Sequence, residues 1–318
     1  MDAVDTVGRT NRATATGQLS AATATPRQRG AGVALMLASS GSNQAGAALG
    51  AMAFPAIGPV GVVAVRQIVT ALVLTPVVRP RLRGLRRDQW WPILGLVVVF
   101  SVMNLSLYAA IDRLGLALAV TLEFLGPLTV AIAGSRRVLD LVGAVLAGVG
   151  VVVLTNPGPA TDVLGIALAL LAAMAWGCYI LLNRTVGQRL PGLQGTAVAG
   201  LVTAATWTPI AVVWFAFHTP TVAAVALAVA CGLMSSIAPY VADLLALRRV
   251  PAPMFGTFTS INPVWAALSG WLLLGQALDL NEWVGIGLIV LSNAAVSARG
   301  LAVPRRQARV APLHDNAA

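Results

Sequence analysis

The stretch Thr121-Leu122-Glu123-Phe124-Leu125-Gly126-Pro127 combines an acidic residue with a proline inside a long apolar run. A corresponding stretch, Thr257-Phe258-Thr259-Ser260-Ile261-Asn262-Pro263, ends in a proline 136 positions later. The same shift brings Gly41 onto Gly177. Since both stretches interrupt an apolar run at corresponding places, the sequence predicts a tandem repeat whose two halves each carry one broken helix.

The composition is typical of a membrane protein, because 58% of the residues are hydrophobic and only 10% are charged. A helix that crosses a membrane needs about 20 consecutive apolar residues. Turn-forming and charged residues divide the chain into ten such stretches, so we expect an all-α membrane protein with ten transmembrane helices. The expected spans are 31–53, 57–78, 91–111, 114–134, 138–155, 163–182, 195–217, 221–247, 252–274 and 281–298.

The arginines predict the orientation of the chain, because cytoplasmic loops are enriched in basic residues. All 21 basic residues are arginines. With a cytoplasmic N-terminus, 19 of the 21 fall in cytoplasmic segments; Arg66 lies within a span and Arg113 lies outside. We therefore expect a multi-pass protein of the cell membrane with both termini in the cytoplasm. The net charge of +10 follows from this topology, so nucleic acid is not an expected partner.

The ten spans suggest two repeats of five, residues 31–155 and residues 163–298. Five is an odd number, so the second repeat must cross the membrane in the opposite sense to the first, which predicts an inverted repeat. Residues 1–30 are expected to form a disordered cytoplasmic tail and residues 299–318 a second tail. The first 28 residues have no apolar run, so they do not resemble a signal peptide.

Three ionisable residues at membrane depth are candidates for a binding site, because such groups are costly in a bilayer and usually face a cavity. Glu123 lies in the middle of the fourth span and could bind a ligand or form an ion pair between helices. Asp243 follows Pro239 in the eighth span and could face a cavity or the solvated helix end. Arg66 could bind a carboxylate, pair with one of these acids, or extend to the membrane surface.

Polar and aromatic residues in other spans are further candidates for the lining of the site. Small hydroxyls often only join helices, so larger side chains carry more weight. Pro127 and Pro263 are expected beside the cavity because a proline frees a backbone carbonyl. The lining candidates are Asn43, Asn104, Tyr108, Trp176, Tyr179, Tyr240, Thr259 and Asn262.

The sequence offers little support for an enzyme. It contains no HExxH motif and no phosphate-binding P-loop. His218 and His314 both lie outside the expected spans, so neither is placed to act as a base within the membrane. Cys178 and Cys231 lie in apolar spans and are interpreted as packing residues. We therefore expect no catalytic site, no metal site and no cofactor.

Four segments resemble EamA-domain proteins of the drug/metabolite transporter superfamily, and within it the bacterial threonine/homoserine exporters. They are VTLEFLGPL (120–128), GSRR (134–137), AMAWGCYIL (173–181) and the long run over 235–276. The resemblance implies a ten-helix inverted repeat that exports small amino acids and uses the proton gradient. The chain departs from the family at Asn262 and Gln276, where the family commonly has Glu, and at Asp243, which replaces a Glu.

These observations together predict an exporter of small amino acids that works by alternating access around a cavity at the membrane midplane. Glu123 would hold the ammonium group or a coupling proton, and Trp176 would form an apolar wall. The substrate carboxylate would meet Arg66 or the helix start near Pro263. Neutral hydrogen bonds would come from Asn104, Tyr108, Tyr240 and Asn262. The alternatives are a multidrug or metabolite exporter and a membrane partner or sensor protein that transports nothing.

Overall fold

The computed structural model describes residues 26–80, 85–133, 138–156, 158, 161–190, 194–247 and 260–302, and within them the chain forms helices and no β-strand. The helices are α1 (Pro26–Met52), α2 (Phe54–Val78), α3 (Arg87–Leu114), α4 (Leu116–Glu123), α5 (Leu125–Ala133), α6 (Val138–Thr155), α7 (Val163–Arg189), α8 (Gln194–Phe217), α9 (Val222–Gly232), α10 (Ala238–Leu247), α11 (Asn262–Leu274) and α12 (Leu280–Ala302). Each of the ten expected spans contains helix. The all-α fold class is therefore confirmed.

Six of the described helical segments are long and apolar enough to cross a membrane, judged by length and composition. They are Phe54–Val78, Arg87–Leu114, Leu116–Ala133, Val163–Arg189, Gln194–Phe217 and Val222–Asp243. The fifth and tenth expected spans contain the shorter apolar helices Leu141–Thr155 and Leu280–Val296. Helix α1 is outside this group although it has 27 residues, because serine, asparagine and glutamine occupy its centre. The ninth expected span is described only from residue 260 onward.

The first proline-containing stretch interrupts a helix, and the second is described only from residue 260 onward. In the first, α4 ends at Glu123 and α5 begins at Leu125, which places Pro127 in the first turn of α5. In the second, a turn at residues 260–261 precedes α11, with Pro263 in its first turn; residues 257–259 lie outside the described residues. Proline has no backbone N–H to donate and is therefore tolerated in a first helical turn. The predicted break is therefore present in the first stretch, and in the second the described residues show a turn followed by a helix start.

The eighth expected span contains a five-residue π-helical segment, Leu233–Ile237, between α9 and α10. Pro239 follows this segment, and its missing N–H would otherwise donate to the carbonyl of Ser235. That carbonyl instead accepts a hydrogen bond from the guanidinium group of Arg66 at 3.4 Å. The local irregularity thus provides an acceptor for a charge in the middle of the bundle.

Small residues allow α1 to pack closely on the eighth span. A Cβ atom at Gly46 would lie 2.8 Å from the backbone nitrogen of Ser235, and one at Gly50 would lie 2.9 Å from the sulfur of Cys231. The GxxxG spacing therefore serves helix packing, as is common in membranes. Helix α1 also contacts α11, while α2 packs on α8, α3 on α7, and α6 on α12.

The two ends of the bundle differ in their contacts. At the end where α2 stops and α3 begins, called here the arginine-rich end, Arg189 donates to the carbonyl of Asp88 at 2.6 Å. At the opposite end, Arg113 and Asp162 form an ion pair at 3.0 Å between α3 and α7. The N–H of Leu116 there donates to the side chain of Gln276 at 3.0 Å. Both ends are therefore joined by polar contacts between distant segments.

Candidate functional site

A cavity of about 740 Å³ lies inside the helix bundle. Its walls include Val78, the last residue of α2, and Thr196 near the start of α8, so it extends to the arginine-rich end. Toward the opposite end the cavity stops at Tyr108, whose ring packs edge-on against Phe54 with centroids 6.1 Å apart. Buried apolar side chains of α2, α4 and α11 continue this closure. The cavity thus approaches only one end of the bundle.

The structure brings ten of the eleven predicted site residues to the wall of this cavity. The eleventh, Thr259, lies outside the described residues. Pro127 and Pro239 also line the cavity, whereas Pro263, which was expected there, does not. Pro263 is buried in the first turn of α11, and its neighbour Asn262 reaches the cavity instead. The ten lining residues are Asn43, Arg66, Asn104, Tyr108, Glu123, Trp176, Tyr179, Tyr240, Asp243 and Asn262.

Arg66 is held in the wall of the cavity by neutral acceptors. Its guanidinium group donates to Asn104 at 2.7 Å, to Tyr108 at 3.3 Å, and to Ser236 at 3.2 Å. The guanidinium carbon also lies 5.4 Å from the centre of the Tyr108 ring, a cation–π distance. Arg66 therefore does not extend to the membrane surface. Among the described residues it forms no ion pair with an acid.

Tyr108 connects Arg66 to the buried core. Its hydroxyl lies 3.0 Å from the sulfur of Cys231, and its ring is almost completely buried. Cys231 is a buried free thiol and Cys178 is an exposed one, so the two cysteines are not joined. Cys231 thus fixes the position of Tyr108, which agrees with the packing role predicted for it.

Glu123 ends α4 at the helix break, with only 7% of its surface exposed. Within the described part of the chain, its carboxyl group receives no hydrogen bond and forms no ion pair. It lines the same cavity as Arg66, and no hydrogen bond or ion pair joins the two groups. A ligand inside the cavity can therefore reach a guanidinium group and a carboxyl group that are not joined in an ion pair.

A second acid, Asp243, lies on α10, nearer the arginine-rich end. Its carboxyl group accepts a hydrogen bond from the hydroxyl of Ser39 at 2.6 Å, which joins α10 to α1. Tyr240 lies one turn earlier on α10 and also lines the cavity. Asp243 therefore lies at the cavity wall, near the end of the bundle to which the cavity extends.

Helix α1 contributes a polar strip to the cavity. The amide of Gln44 donates to the side-chain oxygen of Asn262 at 3.3 Å, and this bond joins α1 to the start of α11. The carbonyl of Asn43 accepts from the hydroxyl of Ser235 at 2.7 Å. Both bonds connect the first half of the chain to the second, so the site is assembled from segments far apart in sequence.

Aromatic residues form the wall on the side of α7. Trp176 packs edge-on against Phe124 with ring centroids 4.7 Å apart. Tyr179 packs against Phe100 with centroids 5.9 Å apart. These contacts hold apolar surface beside Glu123, and the predicted wall residue Trp176 lies in this position.

Among the lining residues that the sequence did not single out are Gln67, Phe100 and Asn293. Asn293 is a large polar side chain in the tenth expected span, which is the same signal that identified Asn43 in the first. Gln67 follows Arg66 directly and was overlooked beside the stronger charge. Phe100 carries no polar signal, so only the packing of α3 reveals it. No group of three His, Cys, Asp or Glu that could hold a metal ion occurs among the described residues.

Comparisons with known proteins agree with this architecture. Residues 163–298 match the EamA-like transporter family. The chain is 32% identical to the threonine/homoserine exporter RhtA of Escherichia coli (strain K12), over 89% of this chain and 96% of that protein. It is 33% identical to the exporter of the same name from Salmonella typhimurium (strain LT2), over 85% and 90% of the two chains. An uncharacterized transporter of Bacillus subtilis (strain 168), YvbV, is 24% identical over 75% of this chain and 82% of its own length.

The fold also occurs in a solved crystal structure. That structure superposes with a TM-score of 0.56 over 85% of this chain and 98% of the other, at 22% sequence identity. The identity is too low to say anything about function, so this likeness supports the arrangement of the helices alone. The match to the exporters extends over most of both chains. The chain therefore belongs to the EamA-like transporter family, whose members are membrane transporters.

Proposed function

We propose that this protein exports small amino acids of the threonine and homoserine class across the cell membrane. The observation that carries the proposal is that a guanidinium group, Arg66, and a carboxyl group, Glu123, line one cavity without an ion pair between them. A charged side chain within the membrane is energetically unfavourable, so such residues usually pair with another group or bind a ligand. A zwitterion supplies a partner to both charges at once, which a simple cation or anion does not.

In this proposal the substrate carboxylate binds Arg66 and the ammonium group binds Glu123. Guanidinium and carboxylate groups match in geometry and can form two parallel hydrogen bonds. Asn104 and Tyr108 already orient Arg66, so its side chain loses little conformational entropy when the substrate binds. Tyr240, Asp243, Asn43 and Asn262 would supply further polar contacts, and Trp176 and Tyr179 would cover the apolar part of the substrate.

We also propose that the ten spans form two inverted repeats, residues 31–155 and 163–298. In this scheme α1 corresponds to α7, α2 to α8, α3 to α9 with α10, α4 with α5 to α11, and α6 to α12. The helix contacts support the scheme, because the contact of α1 with α11 has its counterpart in the contact of α7 with α4 and α5. Likewise, the contact of α3 with α7 has its counterpart in the contact of α1 with α9 and α10. The contacts α2–α8 and α6–α12 each join two corresponding helices and are therefore their own counterparts. A pairing of this kind is expected for a two-fold axis in the membrane plane.

The arginine-rich end would face the cytoplasm, where basic loops are enriched. The cavity then approaches the cytoplasmic side and is closed toward the outside, which is the state that an exporter needs for loading its substrate. Alternating access would require the contacts at the opposite end to open. Energy would come from the proton gradient, with Glu123 as the group that takes up and releases the proton.

The experiment is transport by the purified protein in vesicles with labelled threonine or homoserine. Arg66→Gln should abolish uptake of the labelled amino acid, and Arg66→Lys should restore part of it, because lysine keeps the charge but cannot bind bidentately. Arg184→Gln, near the arginine-rich end of α7 and outside the cavity, serves as the matched control. Transport that is unaffected by Arg66→Gln would refute the assignment of the carboxylate site.

One observation favours a second candidate, an exporter of larger metabolites. A volume of about 740 Å³ lies within the range of pockets that hold drug-sized ligands, roughly 300–1,000 Å³. Vesicles that transport bulky amphipathic compounds but neither amino acid would favour this candidate. Inhibition of threonine transport by such compounds, without their own transport, would instead place them as blockers in the same cavity.

A further inference from the structure

Gln67 is a buried polar residue that the proposed binding scheme does not use. Only 4% of its surface is exposed, and its amide nitrogen has no hydrogen-bond partner among the described residues. A buried N–H group without an acceptor is unusual and unfavourable. Gln67 also belongs to the cavity wall, so a rotation of its side chain would bring the buried amide nitrogen to an acceptor on a ligand.

The position of Gln67 on α2 places it beside the proposed carboxylate site. It directly follows Arg66 in the sequence, and consecutive Cα atoms lie about 3.8 Å apart. Thr70, Ala71 and Leu74 follow at helical spacing and line the same cavity. The hydroxyl of Thr70 is occupied, since it donates to the carbonyl of Arg66 at 2.7 Å. Gln67 is thus the donor on this face that lies next to Arg66, whereas Thr75 lies two turns further toward the arginine-rich end.

We propose that Gln67 determines specificity by donating a hydrogen bond to the side-chain hydroxyl of the transported amino acid. The inference rests on the proposed function and adds a reason for preferring hydroxy amino acids. An apolar amino acid of the same size leaves the Gln67 amide unpaired in the loaded cavity. Sites built to pair a substrate hydroxyl discriminate against analogues that lack it for this reason.

The test compares threonine with 2-aminobutyrate, which lacks the hydroxyl group, in vesicles containing wild type or Gln67→Leu. Loss of one hydrogen bond should lower the threonine-to-2-aminobutyrate transport ratio roughly tenfold. The thermal stability should stay equal or rise, because leucine removes an unpaired polar group from a buried position. Gln188→Leu, an exposed glutamine on α7 outside the cavity, should change neither ratio nor stability.

The outcomes separate this inference from the proposed function. If wild type transports neither amino acid, the proposed function is wrong. If wild type transports threonine and Gln67→Leu reduces both substrates equally, Gln67 contacts a group common to all amino acids and the specificity role is overturned. A lower melting temperature with an unchanged ratio would assign Gln67 to the structural core and would also overturn the proposal.

Discussion

At the scale of single residues, Glu123 is the group on which we propose that proton coupling depends. Glutamine has nearly the same shape as glutamate but cannot take up or release a proton at this position. Glu123→Gln should therefore assemble in the membrane and lose the dependence of export on a pH gradient. Export rates measured with and without a pH gradient check this expectation. Equal rates and equal pH dependence in both proteins would leave Glu123 with a structural role only.

Gly126, in the helix break, is required for close packing. A Cβ atom at Gly126 would collide with the backbone carbonyl of Ala173 on α7, and backbone atoms cannot move aside as a flexible side chain can. Gly126→Ala should lower the free energy of unfolding by about 1–3 kcal/mol, visible as a lower melting temperature in detergent. Gly148→Ala is the matched control, because a Cβ atom there meets nothing within 4 Å. Equal melting temperatures in the two variants would contradict the expectation.

Most of the candidate site could be predicted residue by residue, because charges and amides are rare in apolar helices and need a reason to be there. This reasoning found Glu123, Arg66 and Asp243. It could not decide between the roles left open for Arg66, since its partners Asn104 and Ser236 lie in other helices. It also could not find Gln67, whose significance lies in a missing partner that only packing reveals.

At the scale of helices, the contact of Gln276 with α4 forms part of the closure at the end opposite the arginines. Its side chain accepts from the N–H of Leu116 and fills the space beside Gly115 and Gly270. Gln276→Ala should favour opening at this end. An impermeant maleimide applied from that side should then label a cysteine introduced by Ala47→Cys faster than it does in the same protein with Gln276 retained. Unchanged labelling would show that the closure does not depend on this contact.

The start of α7 should give a pH-dependent contribution to stability. Hydrogen bonding from the Gly165 N–H, followed by the Arg113 guanidinium, lowers the pKa of Asp162. A carboxyl group whose pKa is lowered in the folded protein stabilises the fold at pH values above its pKa in the unfolded chain, about 3.9. This contribution is lost as the pH falls through the lower pKa of the folded protein. Asp162→Asn should thus melt below wild type at pH 7, and the difference should vanish in acid. A difference that is constant over this range would exclude the ionised group as its source.

Helix positions were predicted well because apolar length and proline are strong local signals. The break at Glu123 and the turn before Asn262 both follow from a proline within an apolar run. The π-helical segment at Leu233–Ile237 was not foreseen, since Pro239 predicts a freed carbonyl but not how the backbone upstream adjusts. That adjustment depends on Arg66 and on the close approach of α1 at Gly46, which are tertiary contacts.

At the scale of the whole molecule, the arginine distribution predicts a single topology. In a protein without Cys178 and Cys231, single cysteines at positions 85 and 188 should react only from the cytoplasm. Cysteines at positions 160 and 218 should react only from outside. Labelling of intact cells with an impermeant maleimide measures both. External labelling at position 85 would contradict both the orientation and the inverted-repeat proposal.

The polar strip of α1 has a consequence for biosynthesis. Ser42 donates to a carbonyl 192 residues later in the chain, Ser39 to a carboxyl 204 residues later, and Gln44 to an amide 218 residues later. At about 5–20 residues per second, the ribosome needs roughly 10–40 s to make these partners after α1 has emerged. Since α1 is also not among the six strongly apolar helices, it should be held by the insertion machinery, or by early helices such as α2, until the second half arrives.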